Sequence, residues 1–327
     1  MRAWLISLLL LAMPAWATPQ SFVLIVSGIG GEPLYSERFR QWSEMMLKTA
    51  ESRLGVARDH IVYLAESGEA ASIRVDGRSL KSELETAISR LAATSRPGDV
   101  VLLLLVGHGS VRRDEALFNL PGPDVSANEL NDMLRPLAGR RLVIINGAPS
   151  SAPFLRALSA PDRVVITATA NTAERYHTIF VDHFVAAFTG EGADLDKNGR
   201  VSILEAFEYA SREVQRSYDN EGRLQTEHAL LDDNGDGQGS RQIGIDATDG
   251  ALARTVYLQV PSALAHAGDK PSVARLLKER GAIEQRIEAL KARKTELDTQ
   301  SYENQLEALL IELALSHRAI RASGSSP

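Results

Sequence analysis

The sequence predicts an α/β protein: a mostly parallel sheet sandwiched between helices. Three observations predict it. Apolar runs such as Ser21–Ser27 (SFVLIVS) and Val100–Val106 (VVLLLLV) show no polar alternation, as strands buried on both faces do. Stretches of helical period separate them. Each run also stops at a turn of small residues, and beyond the carboxyl ends of parallel strands is where such proteins keep their sites.

Taken in order, the chain opens with MRAWLISLLLLAMPAWATPQ: one Arg, an apolar core, then Ala15-Trp16-Ala17. This is the layout of a secretory signal peptide over 1–17. An apolar core of about ten residues is too short to cross a bilayer, which takes ~20. The expected mature protein starts near Thr18, is secreted or periplasmic, and has no membrane span. After the first strand come Gly28, Gly30 and Gly31, which do not form a dinucleotide fingerprint. Glu37–Leu54 has helical spacing, His60–Leu64 reads as a strand, and Leu80–Leu91 as a second amphipathic helix. Val100–Val106 is the next strand. Ser126-x-x-Glu129 is a capping box that opens another helix. Arg141–Ile145 and Arg163–Ala168 are further strands, followed by helices over Thr178–Phe188 and Ile203–Tyr218. A Gly/Asp/Asn-rich loop over Leu231–Gly244 precedes a last short strand at Thr255–Val260.

This domain, 18–262, joins through a linker at 263–271 to a tail, 272–322, rich in Ala, Leu, Glu, Lys and Arg. There Leu276, Ile283, Leu290 and Leu297 fall seven apart, and Tyr302, Leu306, Leu309 and Leu313 restart the pattern. A helical hairpin or a coiled coil fits this spacing, and so does self-association through the tail. A solvated helical tail packed on its own domain fits equally.

The net charge is −6 and no basic patch carries interleaved aromatics, so nucleic acid is not an expected partner. No peptide or protein partner can be named from sequence.

The strongest motif is Asp194–Glu205, DLDKNGRVSILE. It fits the EF-hand template, so Ca2+ is the expected cofactor. Asp194, Asp196 and Asn198 stand at positions 1, 3 and 5, so their oxygens can converge on one centre. Gly199 permits the turn, Arg200 offers its backbone carbonyl, Ser202 could ligate directly or through water, and Glu205 closes the shell from the next helix. A second candidate, Asp232, Asn234 and Asp236 in DDNGDG, lacks the closing Glu, because Ile243 stands there. It reads equally as an ordinary Asx-rich turn.

Two strand ends carry the other candidate site. Val100–Val106 runs into Gly107-His108-Gly109-Ser110, and Arg141–Ile145 into Asn146-Gly147-Ala148-Pro149-Ser150-Ser151. In this order the pair resembles the caspase/legumain-like (clan CD) cysteine peptidases, and looks closest to a bacterial legumain-like branch with an EF-hand-type insertion. In that family one strand ends in His-Gly and the next parallel strand ends in the nucleophilic Cys. The resemblance covers roughly residues 21–260. It implies a caspase-like αβα sandwich with an ancestral peptidase cleft. It implies a vestigial His108, and it places Pro149, or by a shift of one Ala148, in the nucleophile slot. The chain has no cysteine. Covalent catalysis of this class needs a thiolate, so the expectation is a pseudo-peptidase serving as a binding or scaffolding protein. The alternative is an active hydrolase using Ser150 or Ser151 with His108.

Overall fold

The computed structural model describes residues 19–67, 74–113, 115–190, 192–244, 247–259 and 297–324, together with short pieces of 275–290. The signal-peptide and linker expectations, 1–17 and 263–271, lie outside the described residues.

The chain folds as a mixed α/β protein around one mostly parallel sheet. Its strands are β1 (Ser21–Ser27), β2 (Ile61–Ala65), β3 (Gly77–Arg78), β4 (Val100–Val106), β8 (Arg141–Asn146), β9 (Arg163–Thr167) and β10 (Leu230–Asp232), in spatial order β10-β9-β8-β4-β1-β2-β3. All pairings are parallel except β10 on β9. The parallel pairings require crossovers, and helices supply them except between β2 and β3, where the described residues hold none. Every residue of β1 and of β4 is buried. Alternate side chains feed two separate cores: Val23, Ile25, Leu102 and Leu104 enter one, Leu24, Val26, Leu103 and Leu105 the other. Fully burying one such side chain is worth about 1.5–3 kcal/mol, which is why runs without a polar residue hold the middle of the sheet.

The first core is covered by α1 (Pro33–Ser52), α5 (Phe180–Ala187) and α6 (Ile203–Asn220), through residues such as Met46, Phe184 and Phe207. The second is covered by α2 (Lys81–Thr94), α3 (Ala127–Leu134) and α4 (Ala152–Leu158), through Leu84, Leu130 and Phe154. α1 starts earlier than its apolar spacing suggests because Pro33 sits in its first turn, where a missing N–H costs nothing. The capping box at Ser126 and Glu129 forms as expected.

A second, three-stranded antiparallel sheet stands after β4: β5 (Gly109–Arg112), β6 (Glu115–Phe118) and β7 (Val125–Ser126). It seats Phe118 against the turns after β1 and β4. A Cβ on Gly107 would come 2.9 Å from the Phe118 ring and 3.2 Å from Gly28 Cα, so this crossing admits only glycine at 107. Instead of a strand at Thr255–Val260, the described part forms a single antiparallel bridge, Tyr257 to Ser202. The expected loop over Leu231–Gly244 begins inside β10.

In the tail, the helix α7 (Thr299–Gly324) brings Leu306, Leu309 and Leu313 into one cluster with Ile283, Ile287 and Leu290. Arg286 pairs with Glu312 at 2.7 Å. Arg280 reaches the main domain, donating to the Asn198 carbonyl at 3.5 Å. No helix among the described residues is long and apolar enough to cross a membrane.

Candidate functional site

β1 and β4 are neighbours whose chains then leave in opposite directions, β1 toward β2 and β4 toward β8. In open α/β sheets such a divergence, at the carboxyl ends of the strands, is where sites lie, and His108 stands at that point, two residues beyond β4. Its ring is half-buried between Tyr35, at 4.8 Å between centroids, and Phe39, at 5.0 Å, both edge-on. Burial pulls the imidazole below the ordinary histidine pKa, opposed by a backbone hydrogen bond at Gly30 and by the charges of Glu32 and Glu66. Tyr35 also faces His177, at 5.8 Å. The α1 aromatics that wall the site serve the core pattern of their helix as well, which is why sequence alone did not single them out.

β8 lies directly beside β4, so the turn at 147–151 comes against the His108 turn. A Cβ on Gly109 would lie 2.3 Å from the Pro149 carbonyl oxygen. Asn146 Oδ1 accepts the Ala148 N–H at 3.1 Å, and Thr178 Oγ1 donates to the Gly147 carbonyl. Ala148, Pro149, Ser150 and Ser151 are all buried.

Both serine hydroxyls have partners other than His108. Ser150 Oγ donates to the Thr172 carbonyl at 3.1 Å, while its N–H donates to the Glu174 carbonyl at 2.9 Å. Ser151 Oγ lies 3.0 Å from Thr169 Oγ1, which also accepts the Ser151 N–H at 2.7 Å. Ser150 has φ +55°. A non-glycine residue there costs of order 1–3 kcal/mol and persists only where its surroundings enforce it.

Behind this turn is a polar network that sequence reasoning missed. The Glu174 carboxylate binds His228 Nδ1 at 2.8 Å and its N–H at 3.1 Å. The Glu227 carboxylate accepts the N–H groups of Ile179 and Phe180 at the start of α5 and the Tyr218 hydroxyl. Burial pushes the Glu227 carboxyl up to about 7. Glu227 and His228 border a cavity of about 360 Å³ between α6 and the 241–243 segment.

The 194–205 loop gathers its three expected carboxylates. Carboxylate oxygens of Asp194, Asp196 and Glu205 all lie within 4.8 Å of one another. Burial, then the charges of Glu205 and Asp194, raise the Asp196 carboxyl pKa. Carboxylates held together in this way fit a hard cation. Asn198 Oδ1 accepts the Arg200 N–H at 2.9 Å, and the Arg200 guanidinium lies over the Tyr257 ring at 3.8 Å. Ser202 caps the helix that follows. Its Oγ accepts the Glu205 N–H at 3.2 Å while its own N–H donates to Glu205 Oε2 at 2.8 Å, forming the capping box of α6. Glu205 Oε1 in turn accepts the Leu195 N–H at 2.9 Å. Asp232, Asn234 and Asp236 accept backbone N–H groups of their own turn, as Asp194 and Asn198 do in the first loop.

No protein-family model matches the chain, and no curated protein matches it. Among solved structures it is similar to that titled "Crystal Structure of drICE", with a TM-score of 0.37 and 10% identity, over 66% of this chain and 88% of that one. So distant a likeness carries nothing about activity, which has to come from the residues.

Proposed function

We propose that this chain is a non-catalytic binding or scaffolding protein of the caspase/legumain-like fold, exported through residues 1–17, with Ca2+ held by the 194–205 loop. One observation carries the reading: the turns after β4 and β8 meet, with His108 on one and buried Pro149 on the other. Proline offers no attacking atom and no N–H for a developing oxyanion. What remains is a strand-end imidazole flanked edge-on by Tyr35 and Phe39, a group that can contact a bound peptide segment but has no nucleophile beside it to cut one. Asp194, Asp196, Asn198, Glu205 and the Arg200 carbonyl would hold the calcium. The ion would supply the positive charge that binds these oxygens together and fixes the start of α6. The tail, as a helical hairpin, is the element for assembly.

One observation favours hydrolysis by Ser150, namely its strained φ on a strand-to-helix turn, a geometry that exposed nucleophiles also use. Against it, the hydroxyl is engaged by Thr172. Incubating the mature protein with fluorogenic peptides bearing Asn, Asp, Arg or Lys at the cleaved position separates the readings. No turnover above blank is expected, and turnover that His108→Ala abolishes would overturn the pseudo-peptidase reading.

A further inference from the structure

The apolar side chains of α7 divide between two faces. Leu306, Leu309 and Leu313 face the seam shared with Ile283, Ile287 and Leu290. Leu310, Ile311 and Leu315 do not: they are 48%, 54% and 59% exposed. Single exposed leucines are ordinary, but a contiguous aliphatic stripe marks a contact surface. Here the stripe has charged ends. Exposed Glu307 precedes it by one turn and exposed Arg318 follows it by one turn. Neither has an ion-pair partner among the described residues. Glu312, near the centre, is already answered by Arg286.

The stripe is complementary to its own reverse. About a midpoint between residues 312 and 313, Glu307 is as far out as Arg318, Leu310 as far as Leu315, and Ile311 as far as Ala314. We infer that this face of α7 docks a second copy of the chain, with the two α7 helices antiparallel. Leu310 of each copy then meets Leu315 of the other, and Glu307 meets Arg318 twice over, as two-fold symmetry requires. A parallel pairing would set Glu307 against Glu307 and Arg318 against Arg318, and would align the helix dipoles unfavourably. The charges therefore select both the partner and its direction. The inference rests on the reading of the tail as an assembly element, and it adds the face and the orientation.

The test uses the full mature chain. Light scattering over a micromolar concentration series should show a dimer. Leu315→Glu should give monomers with unchanged helical circular dichroism. Glu307→Arg or Arg318→Glu alone should weaken dimerisation about three- to tenfold, as two partly exposed charge pairs allow, and the double reversal should restore it. Because the chain has no cysteine, single thiols report direction cleanly. Leu310→Cys mixed with Leu315→Cys should form the mixed disulfide in preference to either self-disulfide. A monomeric wild type overturns both this pairing and the assembly role. A dimer indifferent to Leu315→Glu, or dominated by the Leu310→Cys self-disulfide, overturns the pairing alone.

Discussion

The loops at 194–205 and 232–237 make the same opening turn. Asp194 Oδ2 accepts the Gly199 N–H at 2.9 Å, and Asp232 Oδ2 accepts the Gly237 N–H at 2.8 Å, each five residues on. Asn198 and Asp236 each take the N–H two residues ahead. Beyond that turn the two loops diverge. In the first loop the chain runs straight into α6, and the capping box at Ser202 holds the Glu205 carboxylate close to those of Asp194 and Asp196. In the second, Ile243 packs toward Gly250 where a glutamate would stand, and no comparable carboxylate group forms there among the described residues. Asp233 and Asp249 bind that loop to the 249–253 segment instead. A D-x-N-x-D-G opening is thus a self-sufficient turn. What the first loop adds is a third carboxylate, supplied by the helix on its carboxyl side.

Several substitutions would break or sharpen this contrast. The largest effect is expected for Glu205→Gln, which should abolish the heat of calcium binding in titration calorimetry; an unchanged isotherm would remove the site. Next is Asp233→Ala. Its two buried oxygens accept the Gly250 and Ala253 N–H groups at 2.8 and 2.7 Å, so denaturant titration should show a loss of about 3 kcal/mol, by the cost of orphaning buried donors. Calcium binding should change far less than in Glu205→Gln, and an equal loss would mean that the two loops act as one unit.

The buried carboxyl of Glu227 gives a third measurement. Its folded pKa of about 7 lies above the unfolded value of 4.5, so the unfolded state releases this proton first as pH rises. The stability it contributes below about pH 4.5 is lost by pH 7, to the extent of about 3 kcal/mol if the whole shift is realised. Denaturation at a series of pH values should show that decline, flattened in Glu227→Gln. Ser202→Ala should cost about 1 kcal/mol, the usual value of an N-cap, and weaken calcium binding by loosening Glu205. The smallest effect on calcium belongs to Ile243→Glu. A carboxylate supplied without a capped helix should add no second binding event, and a new one in the isotherm would show that the residue alone suffices.

The central strands were legible because burial on both faces leaves no room for polar residues: VVLLLLV forms β4 to the residue. The two turns of the cleft were legible for the same reason, as the places where such runs stop. β5 and β6 were not. GSVR and EALF are too short and too mixed to announce strands, and they are held by pairing with each other. β10 was hidden because it ends in Asp232, whose side chain belongs to the next turn. Glu174 and His228 are 54 positions apart, so their pairing is a product of the fold with no local pattern to betray it. The helical spacing of α6 was plain, yet only its cap showed that Ser202 serves the helix.

The main sheet ends at two residues of β3 on one side and three residues of β10 on the other. Such stubs leave little backbone free to recruit another chain, and short edge strands are a known protection against uncontrolled polymerisation. A peptide partner therefore cannot gain much by zipping itself onto the margin of this sheet. On the binding role proposed above, recognition would fall to the strand-end turn that carries His108, and would depend on what a partner's side chains offer there more than on an extended backbone.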